Sequence, residues 1–175
     1  EETFTADVSD GSASDSKSFK VTVTPVNDSP ILDSISDVSF DEEGSSSIVL
    51  SGSDTEGDNL TYTVSSGTDI TASISGTTVT FTAPENYNGE ETFTAEVSDG
   101  SDSDSKSFKV TVTPVNDTPI LAAISDVSFD EDGSSAIVLS GSDVDGDSLS
   151  YSISTGTDIT ASISGTTVTF TAPEN

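Results

Sequence analysis

The 175-residue chain contains no histidine, cysteine, methionine or tryptophan, and it sets 32 acidic residues against four lysines, Lys17, Lys20, Lys106 and Lys109. Each absence removes a chemistry. Without thiol or imidazole there is no cysteine nucleophile, no imidazole base, no Ser-His-Asp triad and no soft ligand for a zinc-type ion. A formal net charge of -28 repels a phosphate backbone, and four lysines cannot form a basic patch, so nucleic acid is not an expected partner. No apolar run approaches the roughly 20 residues that span a bilayer, so this segment is not expected to insert into a membrane. The amino terminus shows no basic and apolar signal segment, which implies that one was removed or that the chain is an internal piece. Lack of cysteine leaves the compartment open, because metal ions can staple a small domain as disulfides do.

High net charge and modest hydrophobicity are also marks of disorder. Regular apolar alternation along the chain argues against it. The chain repeats itself: Glu1 aligns with Glu90, a period of 89 residues, and only 14 of the 86 aligned pairs, running to Asn86 against Asn175, differ. The changes are mild, such as Glu56 to Asp145 and Val64 to Ile153.

Period-2 runs bounded by turn residues place the strands. In the copy contained whole in the chain they are "ISDVSFDE" (35–42), "SSIVLSG" (46–52), "LTYTVSS", "ITASIS", "TVTFTA", "TFTAEVS" and "SFKVTV". Seven short strands without helical periodicity predict an all-β fold, a tandem array of seven-stranded Greek-key sandwiches of the immunoglobulin-like type. Residues 1–24 then read as the last two strands of a preceding repeat, 25–113 as a complete repeat and 114–175 as the first five strands of the next. The two end pieces are complementary. Either the chain is a window of a longer array, or the amino-terminal hairpin of one molecule completes the open sandwich of another in head-to-tail self-association.

"SDVDGDSLSYSI" (142–153) and its near-copy "SDTEGDNLTYTV" (53–64) crowd carboxylates around one glycine. Such acids repel one another, and a divalent cation reverses the sign. An EF-hand does not fit: counting from Asp143, glycine stands fourth rather than sixth and the twelfth residue is Ser154. The calcium β-roll motif "GGxGxD" is absent. The cluster instead joins the second and third strands, at the end of the sandwich where the Pro-flanked connectors "PVNDSP" (25–30) and "PVNDTP" (114–119) arrive and where "EVSDGS" places Asp99.

Together "LSGSDVDGDSLSYSI", "FTAEVSDG" and "KVTVTPVNDTPIL" resemble the DxD, AxDxG and DxNDNxP motifs of cadherin repeats, and more closely the cadherin-like repeats of giant bacterial surface and secreted adhesins. The likeness covers the 89-residue unit. It implies Ca²⁺ bound between consecutive repeats, outside a bacterial cell. At the upstream junction the resemblance assigns Asn27, Asp28, Asp54, Glu56, Asp58 and Asp99. At the downstream one it assigns Asn116, Asp117, Asp143, Asp145 and Asp147, with Glu42 and Glu85 from the preceding repeat. The linker lacks the leading Asp and final Asn of the family motif, and "PENYNGEE" replaces its acidic-Arg-acidic loop. Other acids, such as Asp102 and Asp104, read as solvated surface residues.

The expected function is a calcium-stiffened structural repeat of an adhesin, stalk or filament, with neighbouring repeats as its partners. A carbohydrate- or other ligand-binding sandwich is the alternative from another class. Its weak point is the lack of aromatics outside the strands, Tyr87 alone excepted. No enzyme is expected, since identical copies along a rod offer no cleft.

Overall fold

The computed structural model describes residues 1–174 and is all-β. A first hairpin, β1 (Glu2–Ser9) with β2 (Ser14–Val21), stands with every residue exposed. Phe4 and Phe19 stack across it at 5.9 Å.

Residues 31–113 form the complete immunoglobulin-like sandwich. Its strands are β3 (Ile31–Leu32), β4 (Val38–Asp41), β5 (Ser45–Val49), β6 (Gly52–Ser53), β7 (Thr61–Val64), β8 (Thr71–Ser75), β9 (Thr78–Thr82), β10 (Gly89–Ser98) and β11 (Ser103–Thr113). One sheet runs β4-β11-β10-β7 and the facing one β5-β9-β8, with the short pair β3-β6 beside them. The pairing is antiparallel except that β4 runs parallel to β11, Val38 opposite Val110. Alternation sends Phe93, Ala95 and Val97 of β10, and Phe108, Val110 and Val112 of β11, into the interior. There Phe81 meets Phe93 edge-on at 5.3 Å and Phe108 at 5.9 Å.

The expected run 46–52 is broken. Leu50 turns its side chain into the core and donates its N–H to Thr77, so β5 ends before it and β6 resumes beyond to pair with β3, a bridge that periodicity did not predict. The expected strand 35–42 shortens to β4, because only residues 38–41 lie against β11.

Residues 120–171 repeat half of this plan. Here β12 (Ile120–Leu121) pairs with β14 (Gly141–Ser142), and β13 (Ser134–Val138), β16 (Thr167–Thr171) and β15 (Thr160–Ser164) form a sheet in that order. The runs expected as its first and third strands, 124–131 and 149–155, are not strands. Their counterparts β4 and β7 exist by pairing with β11 and β10, and this unit lacks that hairpin.

Candidate functional site

The strands deliver the acidic segments to the two ends of the sandwich. At the upstream end the linker meets the β6–β7 turn and the β10–β11 turn. Asn27 donates its Nδ2–H groups to Asp99 Oδ2 at 3.1 Å and Asp102 Oδ2 at 3.0 Å, and Asp28 donates its backbone N–H to Glu56 Oε2 at 3.1 Å. Within the β6–β7 turn, the Asp58 N–H reaches Asp54 Oδ1 at 3.0 Å. The turn is closed by Gly57 at φ 79°, as its copy is by Gly146 at φ 77°, a conformation that strains any residue with a Cβ. Asp99 is held below the ordinary carboxylate value by backbone donors at Asp102 and Ser101 and by the amide of Asn27, all of which favour its charged form.

The downstream junction repeats the wiring across two repeats. Asp117 donates its N–H to Asp145 Oδ2 at 2.7 Å, Asp147 donates to Asp143 Oδ1 at 3.1 Å, and Asn116 Nδ2 donates to the Asp117 carbonyl at 2.7 Å. From the preceding repeat comes Glu42, a buried acid that accepts the Val115 N–H at 2.6 Å. Asn116, Asp117, Asp143 and Asp147 line one cleft of about 250 Å³. Desolvation, then the charges of Asp145, Glu42, Asp143 and Glu85, push Asp117 above the ordinary aspartate value. Glu85, on an exposed loop, thus acts on the junction through charge.

The thirteen residues assigned from sequence therefore fall into two groups, one at each junction. Asp102 is exposed, as its reading as a surface acid has it, and also accepts from Asn27 in the upstream group. Asp104 departs from that reading: it is half-buried, and its Oδ2 accepts the Leu32 N–H at 2.9 Å and ties β3 to β11. Tyr87, the aromatic outside the strand pattern, packs against the core.

The carboxylates of Glu42, Asp54, Glu56, Asp99, Asp143 and Asp145 accept backbone N–H groups, and among the described residues no group of three or more acids is arranged as a ready-made metal cage. Among the described residues one side-chain oxygen, Asp54 Oδ2, is buried without a hydrogen-bond partner. An all-oxygen donor set of carboxylates, carbonyls and an amide suits a hard cation such as Ca²⁺, and the orphaned oxygen of Asp54 is consistent with one.

One acid that sequence reasoning missed is Glu91. It accepts the N–H groups of Thr68 at 2.8 Å, Asp69 at 2.7 Å and Ile70 at 3.2 Å, which pins the β7–β8 loop to β10. Gly67 permits the approach, since a Cβ there would lie 2.3 Å from Glu91 Oε2. A signal was present: Glu91 shares the inward phase of Phe93, Ala95 and Val97.

Residues 27–113 match the model of the family described as bacterial Ig domain. No curated protein matches the chain. Among solved structures, the chain is similar to an endo-fucoidan hydrolase of glycoside hydrolase family 107 (20% identity, TM-score 0.41, 99% of this chain and 30% of that one). It is similar also to surface layer protein SbsC, domains 1-6 (19%, 0.38, 99% and 25%), and to an I-band fragment of titin (16%, 0.38, 83% and 55%). The chain thus spans only a part of each of these structures, and likeness at this level says nothing of function.

Proposed function

We propose that the bacterial immunoglobulin-like domain matched by residues 27–113 serves as an extension module of an extracellular or cell-surface stalk, stiffened by Ca²⁺ at each junction between repeats. One observation carries the reading: a short linker, Asn116 and Asp117, receives acidic groups from the repeats on both sides, Glu42 and Glu85 from one and Asp143, Asp145 and Asp147 from the other. Upstream, Asn27, Asp28, Asp54, Glu56, Asp58 and Asp99 would hold the equivalent ion, with Asp54 Oδ2 as an acceptor still to be satisfied. Bound there, Ca²⁺ would supply charge neutralisation and a bridge between repeats. The protein's part is to present oxygens from separate segments, so that binding requires a fixed linker.

Extracellular calcium modules bind with Kd near 10⁻⁴–10⁻³ M, so a few millimolar Ca²⁺ adds roughly 1–2 kcal/mol per site. For a domain of this size that raises Tm by about 5–10 °C. Melting the chain in 5 mM CaCl₂ and in EDTA tests the reading, and superimposable curves would overturn it. A chain with Asp143, Asp145 and Asp147 all changed to Asn should lose the downstream share of the calcium response and keep the upstream share.

A further inference from the structure

Internal duplication isolates the part played by one side chain. The β10–β11 and β1–β2 turns share their wiring: Asp99 Oδ1 accepts the N–H groups of Ser101 at 2.6 Å and Asp102 at 2.7 Å, and Asp10 Oδ1 accepts those of Ser12 and Ala13, each at 2.8 Å. Where one copy has Asp102 the other has Ala13, so the turn closes without a carboxylate at that place. What the carboxylate adds is a contact with the linker. The Asn27 Nδ2 carries two N–H groups, and it meets Asp102 Oδ2 at 3.0 Å and Asp99 Oδ2 at 3.1 Å, with the Asp28 carbonyl at 3.2 Å. Three acceptors around the nitrogen fix which way this planar amide faces, because the reverse placement would set Oδ1 against two carboxylates. Oδ1 is therefore held away from the turn, a neutral oxygen that accepts no hydrogen bond among the described residues.

We infer that Asp102 is a positioning residue for the upstream ion site: together with Asp99 it grips the Asn27 amide by its nitrogen, so that the amide oxygen is presented as a ligand. The inference rests on the calcium reading above. Hard cations take amide carbonyl oxygens beside carboxylates, and loss of a partner that orients a ligand costs about 10–100-fold in metal affinity. Asp102 acts through Asn27 and touches no ion itself. Without it Asp99 Oδ2 holds a single N–H, the other N–H loses its carboxylate, and the amide is free to turn. A repeat with alanine at this position, as at residue 13, presents its linker asparagine less firmly, so junctions of one array differ in affinity through a residue outside the ligand set.

Nuclear magnetic resonance of the 175-residue chain, with Asp102→Ala and Asp102→Asn beside the wild type, tests this. Alanine is the residue that the copy carries, so the turn should survive; asparagine keeps a side-chain oxygen for Asn27 and drops the charge. In EDTA the Asn27 side-chain NH₂ signals should be shifted and protected from exchange with water in the wild type and in Asp102→Asn, and should move to free-amide positions in Asp102→Ala. On titration with CaCl₂, the signals of Asn27 and Asp58 should report about tenfold weaker binding for Asp102→Ala and near wild-type binding for Asp102→Asn. Signals of Asp117 and Asp145, at the other junction, should titrate alike in all three chains. Equal losses in the two variants would make Asp102 a charge or a ligand rather than a positioner. That result, no loss in either variant, or a wild-type Asn27 that ignores Ca²⁺ while Asp117 responds, overturns the inference and leaves the calcium reading standing. If Asp117 and Asp145 do not respond to Ca²⁺ in the wild type, the calcium reading itself falls and takes this inference with it.

Discussion

Glu91 and Asp117 are both acidic, and their surroundings move them in opposite directions. Burial pushes Glu91 up, but the N–H groups of Asp69, Thr68 and Ile70 outweigh it and hold the carboxyl below its ordinary value of 4.5. A depressed value in the folded state means stability that is present above the unfolded value and lost as pH falls through the folded one. Glu91→Gln offers one acceptor where there were two and turns an amide N–H₂ toward donors; it should cost about 1–3 kcal/mol at pH 7. Urea titrations from pH 7 to pH 3 should show the wild type weakening below about pH 4.5 and the variant changing less over that limb. A variant as stable as the wild type at neutral pH would show that the three bonds contribute nothing. Asp117 has the opposite sign: desolvation, and after it the neighbouring carboxylates, penalise its charged form, so that penalty is relieved as pH falls and returns as pH rises through its titration. The clusters around the DxDGD turns were legible in the sequence because spacing alone groups them. Asp102 and Asp104 were not, because their partners, Asn27 and the Leu32 N–H, lie 75 and 72 residues away in the chain.

At the level of elements, period-2 alternation found every principal strand of residues 31–113, since each has one face in the core. It could not show where a strand stops, because that depends on the neighbour. The sequence "VSFD" is a strand at residues 38–41 beside β11 and irregular at 127–130 without such a neighbour, from identical residues. The same contrast separates two phenylalanines. Phe81 is fully buried against Phe93 and Phe108, whereas its copy Phe170 is half-buried at the rim of an open cleft. Phe81→Ala should therefore cost about 3–5 kcal/mol, most of the stability of a domain this small, and Phe170→Ala well under half of that. Urea unfolding followed by tyrosine fluorescence reads the two units through Tyr62 and Tyr87 in one and Tyr151 in the other. Equal losses for the two substitutions would mean that the last unit buries Phe170 as the complete one buries Phe81.

For the whole molecule, the central question is what a net charge of -28 does to a string of sandwiches. Self-repulsion by itself straightens a chain, and any added salt weakens that effect, because charges farther apart than about 8 Å are screened at 0.15 M ionic strength. Bridging by a bound cation acts in the other sense: it fixes the linker while removing the repulsion. The two are separable by holding ionic strength constant. In 0.15 M KCl with EDTA, the linkers are held by a few hydrogen bonds only, from Asn27 at one junction and from the Val115 and Asp117 N–H groups at the other, and small-angle X-ray scattering should report a broad distribution of interdomain distances. Replacing part of the KCl with 5 mM CaCl₂ at the same ionic strength should narrow that distribution and lengthen the maximum dimension, and the same concentration of MgCl₂ should do less, because Mg²⁺ gives up its waters reluctantly. If the Ca²⁺ and EDTA profiles coincide, the acidic junctions shape the array through repulsion alone and the bridging role fails, whatever Ca²⁺ does to the melting temperature.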